Sequence, residues 1–121
     1  MSWTYKVSSH SFYHNGTFQF TALYAGKPGF KNDPAFECVK DKGPLPRGKY
    51  TISEPFYHHR TRAWTLRLTP DTSNNMCGRD GFLIHGGSSA HPGGASNGCI
   101  IATLPQRKAI TASHDHILIV E

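Results

Sequence analysis

Phe82-Leu83-Ile84-His85-Gly86-Gly87-Ser88-Ser89-Ala90-His91-Pro92-Gly93-Gly94-Ala95-Ser96-Asn97-Gly98-Cys99-Ile100 joins a short apolar run, a histidine, a spacer of small residues and a cysteine. Phe82-Leu83-Ile84 has the unbroken apolar character of a strand buried on both faces, so it delivers His85-Gly86-Gly87 to the end of a sheet. Cys99 follows His85 by fourteen residues, across a loop long and glycine-rich enough to fold back and bring the two side chains together. A thiol is mostly protonated at neutral pH and becomes a nucleophile when a neighbouring imidazole takes or shares its proton. Gly98 permits a tight turn in which the Gly98 and Cys99 amides point the same way, the arrangement of an oxyanion hole. The bland reading of the same residues is a core thiol, a surface imidazole and an inert loop.

The elements outside this stretch read as a sheet. Asn15-Gly16 is a type I′ turn signal between Ser11–His14 and Thr17–Tyr24. In the second of these, Phe18, Phe20, Ala22 and Tyr24 are expected on one face by their period of two. From Gly26 to Gly48 the prolines are too dense for helix or central strand, and a long surface loop is expected. Lys49–Phe56, Trp64–Leu68 and Ile117–Val120 read as strands, and Thr69–Gly81 as loop. Thr103 is placed to cap a short helix with Pro105 in its first turn and Gln106 to Ser113 continuing it. The expected class is therefore mostly β, with one short helix after the cysteine.

The chain has 121 residues, the size of one domain with one core, and residues 1–121 are read as a single unit. Its net charge of +5 favours acidic partners. Nucleic acid is disfavoured, because Lys and Arg are scattered from Lys6 to Lys108 rather than clustered or interleaved with stacking aromatics. No segment approaches the roughly 20 apolar residues of a membrane-spanning helix, so membrane insertion is not expected. The opening Met1-Ser2-Trp3-Thr4-Tyr5-Lys6 lacks an apolar run behind a basic one, and no export signal is expected.

Three cysteines are too few for a disulfide scaffold, and no C-x-x-C pair is present. Cys38 and Cys77 either bridge in an oxidising compartment or stand as separate buried thiols, and separate thiols are the favoured reading. His58-His59 and His114-x-His116 lack a Cys or carboxylate at zinc-ligand spacing, so neither metal nor other cofactor is expected.

His85-Gly86 followed by Ser96-Asn97-Gly98-Cys99 resembles the hallmark of the L,D-transpeptidase catalytic domain, and Gly43-Pro44-Leu45-Pro46-Arg47-Gly48-Lys49-Tyr50 is similar to a second element of that family. The likeness is strongest to compact members delivered as antibacterial effectors by type VI secretion systems. It extends through the Ser-Trp-Thr-Tyr opening, Asn32-Asp33-Pro34-Ala35, Leu68-Thr69-Pro70 and Gly78-Arg79-Asp80-Gly81. The resemblance implies a small β-sandwich or barrel of L,D-transpeptidase type. It implies Cys99 as nucleophile, His85 as base and the Gly86 carbonyl as acceptor for the other imidazole nitrogen. The implied substrates are peptidoglycan tetrapeptide stems, attacked at the third residue with loss of the terminal D-alanine by L,D-carboxypeptidase, exchange or crosslinking chemistry. Type VI machinery, a cognate immunity protein and action in the periplasm of a target bacterium follow from the same likeness. Asn97 departs from the histidine of the broader family. Ser96, Asn97, His91 and Arg79 are candidates for substrate contact, Arg79 through a bidentate grip on a stem carboxylate. The rival readings are a non-catalytic peptidoglycan-binding module and a cysteine peptidase of other specificity. An activated Cys99 is expected to react with an apparent pKa below that of free cysteine, an advantage lost in His85→Ala.

Overall fold

The computed structural model describes residues 1–87 and 97–121. Ten strands occur among these residues: β1 Trp3–Lys6, β2 Ser11–His14, β3 Thr17–Thr21, β4 Tyr24–Ala25, β5 Gly48–Ile52, β6 Phe56–His58, β7 Arg62–Pro70, β8 Leu83–His85, β9 Ile100–Ile101 and β10 Ile117–Val120. One α-helix, α1, spans Leu104–Ala112. The strands run in the order β3-β2-β1-β10-β5-β7-β8-β9-β4, with β6 pairing beside β7. The pairs β1 with β10 and β8 with β9 are parallel, and the remaining pairs are antiparallel. The chain thus has the mostly β, single-helix architecture expected from its sequence.

Local chemistry accounts for several boundaries. Asn15 and Gly16 have φ of 50° and 82°, the left-handed pair that a type I′ turn requires. Thr103 caps α1 through a capping box, its hydroxyl accepting from the Gln106 amide while Gln106 Oε1 accepts from the Thr103 amide. Pro55 lies between β5 and β6 and carries no amide hydrogen, so the segment expected as one strand over 49–56 is two.

One expected face does not form. Tyr13 lies opposite Phe18 and Phe12 opposite Phe20, so Gln19 is an extra residue in β3. This bulge turns Phe18 outward, 53% exposed, while Phe20 packs on the core. The strand then stops at Thr21, and Tyr24 belongs to β4, paired with β9.

The core contains Tyr5, Phe12, Tyr50, Leu66, Ile84 and Leu118, each fully buried. The proline-rich segment before β5 is not wholly a surface loop. Gly43, Pro44, Leu45 and Pro46 are buried, and the Pro46 carbonyl accepts from the Tyr50 hydroxyl. An apolar Leu45 at the centre of the segment gives it a reason to fold inward, because burying a leucine side chain stabilises by about 2 kcal/mol.

Cys38 and Cys77 form a disulfide, correcting the expectation of two separate thiols. Their Cα atoms lie 5.3 Å apart, inside the range a disulfide spans, and the bridge ties the loop before β5 to the loop before β8. The pairing depends on two loops 39 residues apart in sequence being docked side by side, which spacing alone does not specify. Cross-linking a loop of this length is worth about 4 kcal/mol in the chain-entropy account. Cys38→Ser with Cys77→Ser is therefore expected to lower unfolding free energy by about 2–4 kcal/mol, read from urea denaturation of oxidised protein. A midpoint matching the parent protein would show that the bridge does not stabilise it.

Candidate active site

The catalytic-type residues converge because β8 and β9 are neighbours in parallel register. Ile84 pairs with Ile100 and His85 with Ile101, and the Ala102 amide donates to the His85 carbonyl at 3.0 Å. Cys99 enters the sheet immediately before the first of these pairs. Ile84 and Ile100 are fully buried, so the apolar faces of the two strands anchor both functional side chains at one edge of the core.

His85 is only 5% exposed, and its Nδ1 lies 2.7 Å from the Gly86 carbonyl oxygen. A carbonyl only accepts, so Nδ1 carries the hydrogen and Nε2 presents its lone pair as a base. Burial holds the imidazole below its ordinary pKa, against the raising effect of the Gly86 carbonyl, and the charges of Arg107 and His58 push it the same way as burial. Gly86 lies close against Arg107: a Cβ there would lie 2.8 Å from Arg107 Nη2, so a side chain would require that guanidinium to shift.

Arg107 is a neighbour of His85 that sequence reasoning missed. It is buried on the inner face of α1, where Nε donates to the carbonyls of Ala102 and Thr103 and Nη1 to those of Ala63 and Trp64. Nothing local distinguishes it from a solvated helix arginine, since the Ala63 and Trp64 carbonyls that receive Nη1 come from a distant part of the sequence.

Cys99 is half-buried, and Gly81 O is 4.0 Å from Sγ. Burial pushes the thiol upward, opposed by the Leu83 amide, its own amide and the Arg79 charge. The two shifts run in opposite directions, upward for the thiol and downward for the imidazole.

Gly98 has φ of 130° and is buried, and its carbonyl accepts from the Leu45 amide at 3.0 Å. A Cβ on Gly98 would lie 2.6 Å from Arg79 Nη2 and 2.9 Å from both the Gly43 carbonyl oxygen and Phe82 Cε1. Glycine is needed here for close approach as well as for backbone conformation.

Arg79, expected as a substrate clamp, lines the cleft and is held by backbone carbonyls. The side chain is 6% exposed and stacks over Phe82 with its guanidinium carbon 5.0 Å from the ring centre. Nη1 donates to the carbonyls of Glu37 and, at 2.9 Å, Pro44; Nη2 donates to those of Gly43 at 2.9 Å and Asn97 at 3.2 Å. The guanidinium therefore ties the proline segment to the approach to Cys99, and both Nη atoms donate to backbone carbonyls.

A cleft of about 810 Å³ is lined by His85, Gly86, Cys99, Asn97 and Arg79, so these expected site residues share one space. Asn97 is exposed there, and its carbonyl is the one held by Arg79. His91 and Ser96 lie outside the described residues. Among the described residues no group of three His, Cys, Asp or Glu side chains is placed to hold a metal ion, and no helix is long and apolar enough to cross a membrane.

Comparisons with known proteins place this arrangement in context. L,D-transpeptidase 1 of Mycobacterium tuberculosis has a similar structure, with a TM-score of 0.56 over 98% of this chain and 60% of that one at 15% identity. An L,D-transpeptidase from Mycobacterium smegmatis superposes with a TM-score of 0.57 over 99% of this chain and 58% of that one at 16% identity. The chain thus spans about 60% of the length of these solved structures, and the likeness is one of fold. No curated protein matches the sequence. Residues 19–118, which include β8, His85, Cys99 and α1, match the family described as the Tlde1 domain, and the chain belongs to that type VI effector family.

Proposed function

We propose that this protein is a cysteine enzyme of L,D-transpeptidase type that acts on peptidoglycan tetrapeptide stems, with Cys99 as nucleophile and His85 as general base. The observation that carries the reading is the imidazole of His85, fixed by Gly86 so that Nε2 is the basic atom, in the same cleft as the Cys99 thiol. Membership of the Tlde1 domain family and the L,D-transpeptidase fold support the choice of substrate.

In the reaction, His85 Nε2 takes the thiol proton as Sγ attacks the carbonyl carbon of the third stem residue. The carbonyl becomes an oxyanion received by backbone amides, for which Cys99 and Gly98 are the candidates. Collapse breaks the C–N bond to the terminal D-alanine, and the imidazolium returns its proton to the leaving amine. The thioester is then opened by water, giving carboxypeptidase cleavage, or by an incoming amine, giving exchange or a crosslink. The proposed setting is the periplasm of a target bacterium reached through type VI secretion, with an immunity protein protecting the producer.

Mass analysis of purified muropeptides incubated with the protein tests the reading. Loss of one alanine residue from tetrapeptides is the expected product, with a second mass-shifted product when a free D-amino acid is added. Cleavage of all-L peptides with stems left intact would assign it to another class of cysteine peptidase, and no reaction with either would leave a binding module.

The downward shift of His85 predicts the acidic limb of the pH profile. Because burial lowers the His85 pKa, the base stays neutral below the ordinary imidazole value near 6.5, and the acidic limb of kcat/KM is expected under that pH. A limb well above 6.5 in steady-state assays would contradict a buried neutral base.

A further inference from the structure

The cleft has two chemically different ends. Near Cys99 it is bordered by Arg79 with Lys40, Asp41 and Asp80, and the Asp41 carboxylate acts on the Arg79 guanidinium. At the other end is the tip of the β6–β7 hairpin, which supplies His58, Arg60, Thr61 and Arg62. His58 is close enough for its charge to act on His85, so this hairpin stands on the imidazole side of the cleft.

We propose that Arg60 and Arg62, on the hairpin tip, form the subsite for the free C-terminal carboxylate of the residue that the enzyme expels. The inference rests on the function proposed above and names the feature of the substrate that it selects.

Three observations support it. Arg60 and Arg62 are both exposed, and among the described residues neither has a carboxylate within ion-pairing distance. Two arginines lining one cleft without an acid partner among the described residues are a ready receptor for a carboxylate, which each can bind through parallel N–H donors. Second, the tip is built rather than loose. His58 Nδ1 accepts from the amides of Arg60 and Thr61, the Thr61 and Thr65 hydroxyls are 2.7 Å apart, and Thr65 Oγ1 donates to the Arg62 carbonyl. These contacts hold Arg62 at φ of 72°, a conformation that non-glycine residues keep only when their surroundings enforce it. Arg62 Nη1 also donates to the Tyr57 hydroxyl at 3.0 Å, which orients the fork and leaves its other donors for a ligand.

The third is the direction of the chemistry. The imidazolium must hand its proton to the leaving amine, so that nitrogen lies at the His85 end of the cleft. In an α-amino acid the carboxyl carbon is two bonds from the nitrogen, which puts the leaving residue's carboxylate further out on the same side. The side reached is the one with unpaired arginines, and not the one already holding Asp41 and Asp80. A stem ending at the expelled residue presents its charge there, whereas an amidated or extended stem does not.

The test uses two synthetic tetrapeptides that differ only in a C-terminal carboxylate or carboxamide. The parent protein is expected to favour the acid by about tenfold or more in kcat/KM, chiefly through KM, with the preference shrinking as salt is added. Arg60→Gln with Arg62→Gln is expected to bring the ratio close to one. Lys108→Gln, which removes an exposed positive charge outside the cleft, retains the ratio. Equal turnover of the two peptides by the parent protein, or a ratio unaltered in the double variant, overturns the assignment. Calorimetric binding of both peptides to Cys99→Ala reads the subsite without turnover. Absence of cleavage of either peptide by the parent protein therefore counts against the proposed reaction, while equal binding of acid and amide counts against the subsite.

Discussion

Cys99→Ala is expected to reduce D-alanine release from tetrapeptide stems by at least about a thousandfold while leaving the fold intact, because the substitution removes the only atom able to form the thioester. Cys99 is half-buried, and its chain neighbours Gly98 and Ile100 are held by backbone contacts that do not involve the sulfur. Its removal should therefore change the thermal midpoint by no more than a few degrees. Release of D-alanine by muropeptide mass analysis and circular dichroism on the same sample separate chemistry from folding. His85→Ala is expected to show a smaller loss, about a hundredfold to ten-thousandfold, since a protonated thiol retains some reactivity without its base. Undiminished turnover by Cys99→Ala would exclude covalent catalysis at this position.

Arg79→Ala is expected to lower both stability and activity. The side chain is buried, its donors reach carbonyls of Glu37, Gly43, Pro44 and Asn97, and its charge lies over the Phe82 ring. Truncation strips these acceptors of their donor and opens a gap between three segments. A buried polar group left unpaired costs about 1–3 kcal/mol, so a loss of about 3 kcal/mol is a fair expectation once water relieves some of the carbonyls. For a domain of this size that corresponds to a fall in Tm of about 10 °C. Activity should fall further than stability alone explains, because the Asn97 carbonyl is released next to the Gly98-Cys99 turn. Arg79→Lys should rescue little, since a single ammonium cannot span carbonyls that the planar guanidinium reaches from two nitrogens. A Tm within a degree or two of the parent protein for Arg79→Ala would mean that solvent satisfies the carbonyls fully.

Arg79 also shows what residue type leaves open. Its position just before the β8 strand suggests a substrate clamp, and a guanidinium suits that task. The structure instead surrounds it with backbone carbonyls from segments about 20 to 40 residues away, and the cleft's unpaired arginines come from the β6–β7 hairpin. The difference between an arginine that grips a ligand and one that braces a loop is set by which carbonyls fold up against it.

Short-range physics was legible in the sequence by itself. Asn15-Gly16 specified its turn, Thr103 its helix cap, and Ile117–Val120 its strand, because φ preference, side-chain capping and apolar runs act over a few residues. The mostly β class with one helix followed from the same local signals, as did the nomination of His85 and Cys99. The tertiary structure decided what depends on distant segments meeting. It bridged Cys38 to Cys77, buried Gly43–Pro46, turned Phe18 away from Phe20 through a bulge, and set Arg107 behind Gly86. It also set the direction of each shift, upward for the Cys99 thiol and downward for the His85 imidazole, since burial is a property of the packed chain. A side chain's type fixes what it is able to bond, and only long-range packing fixes what it finds within reach.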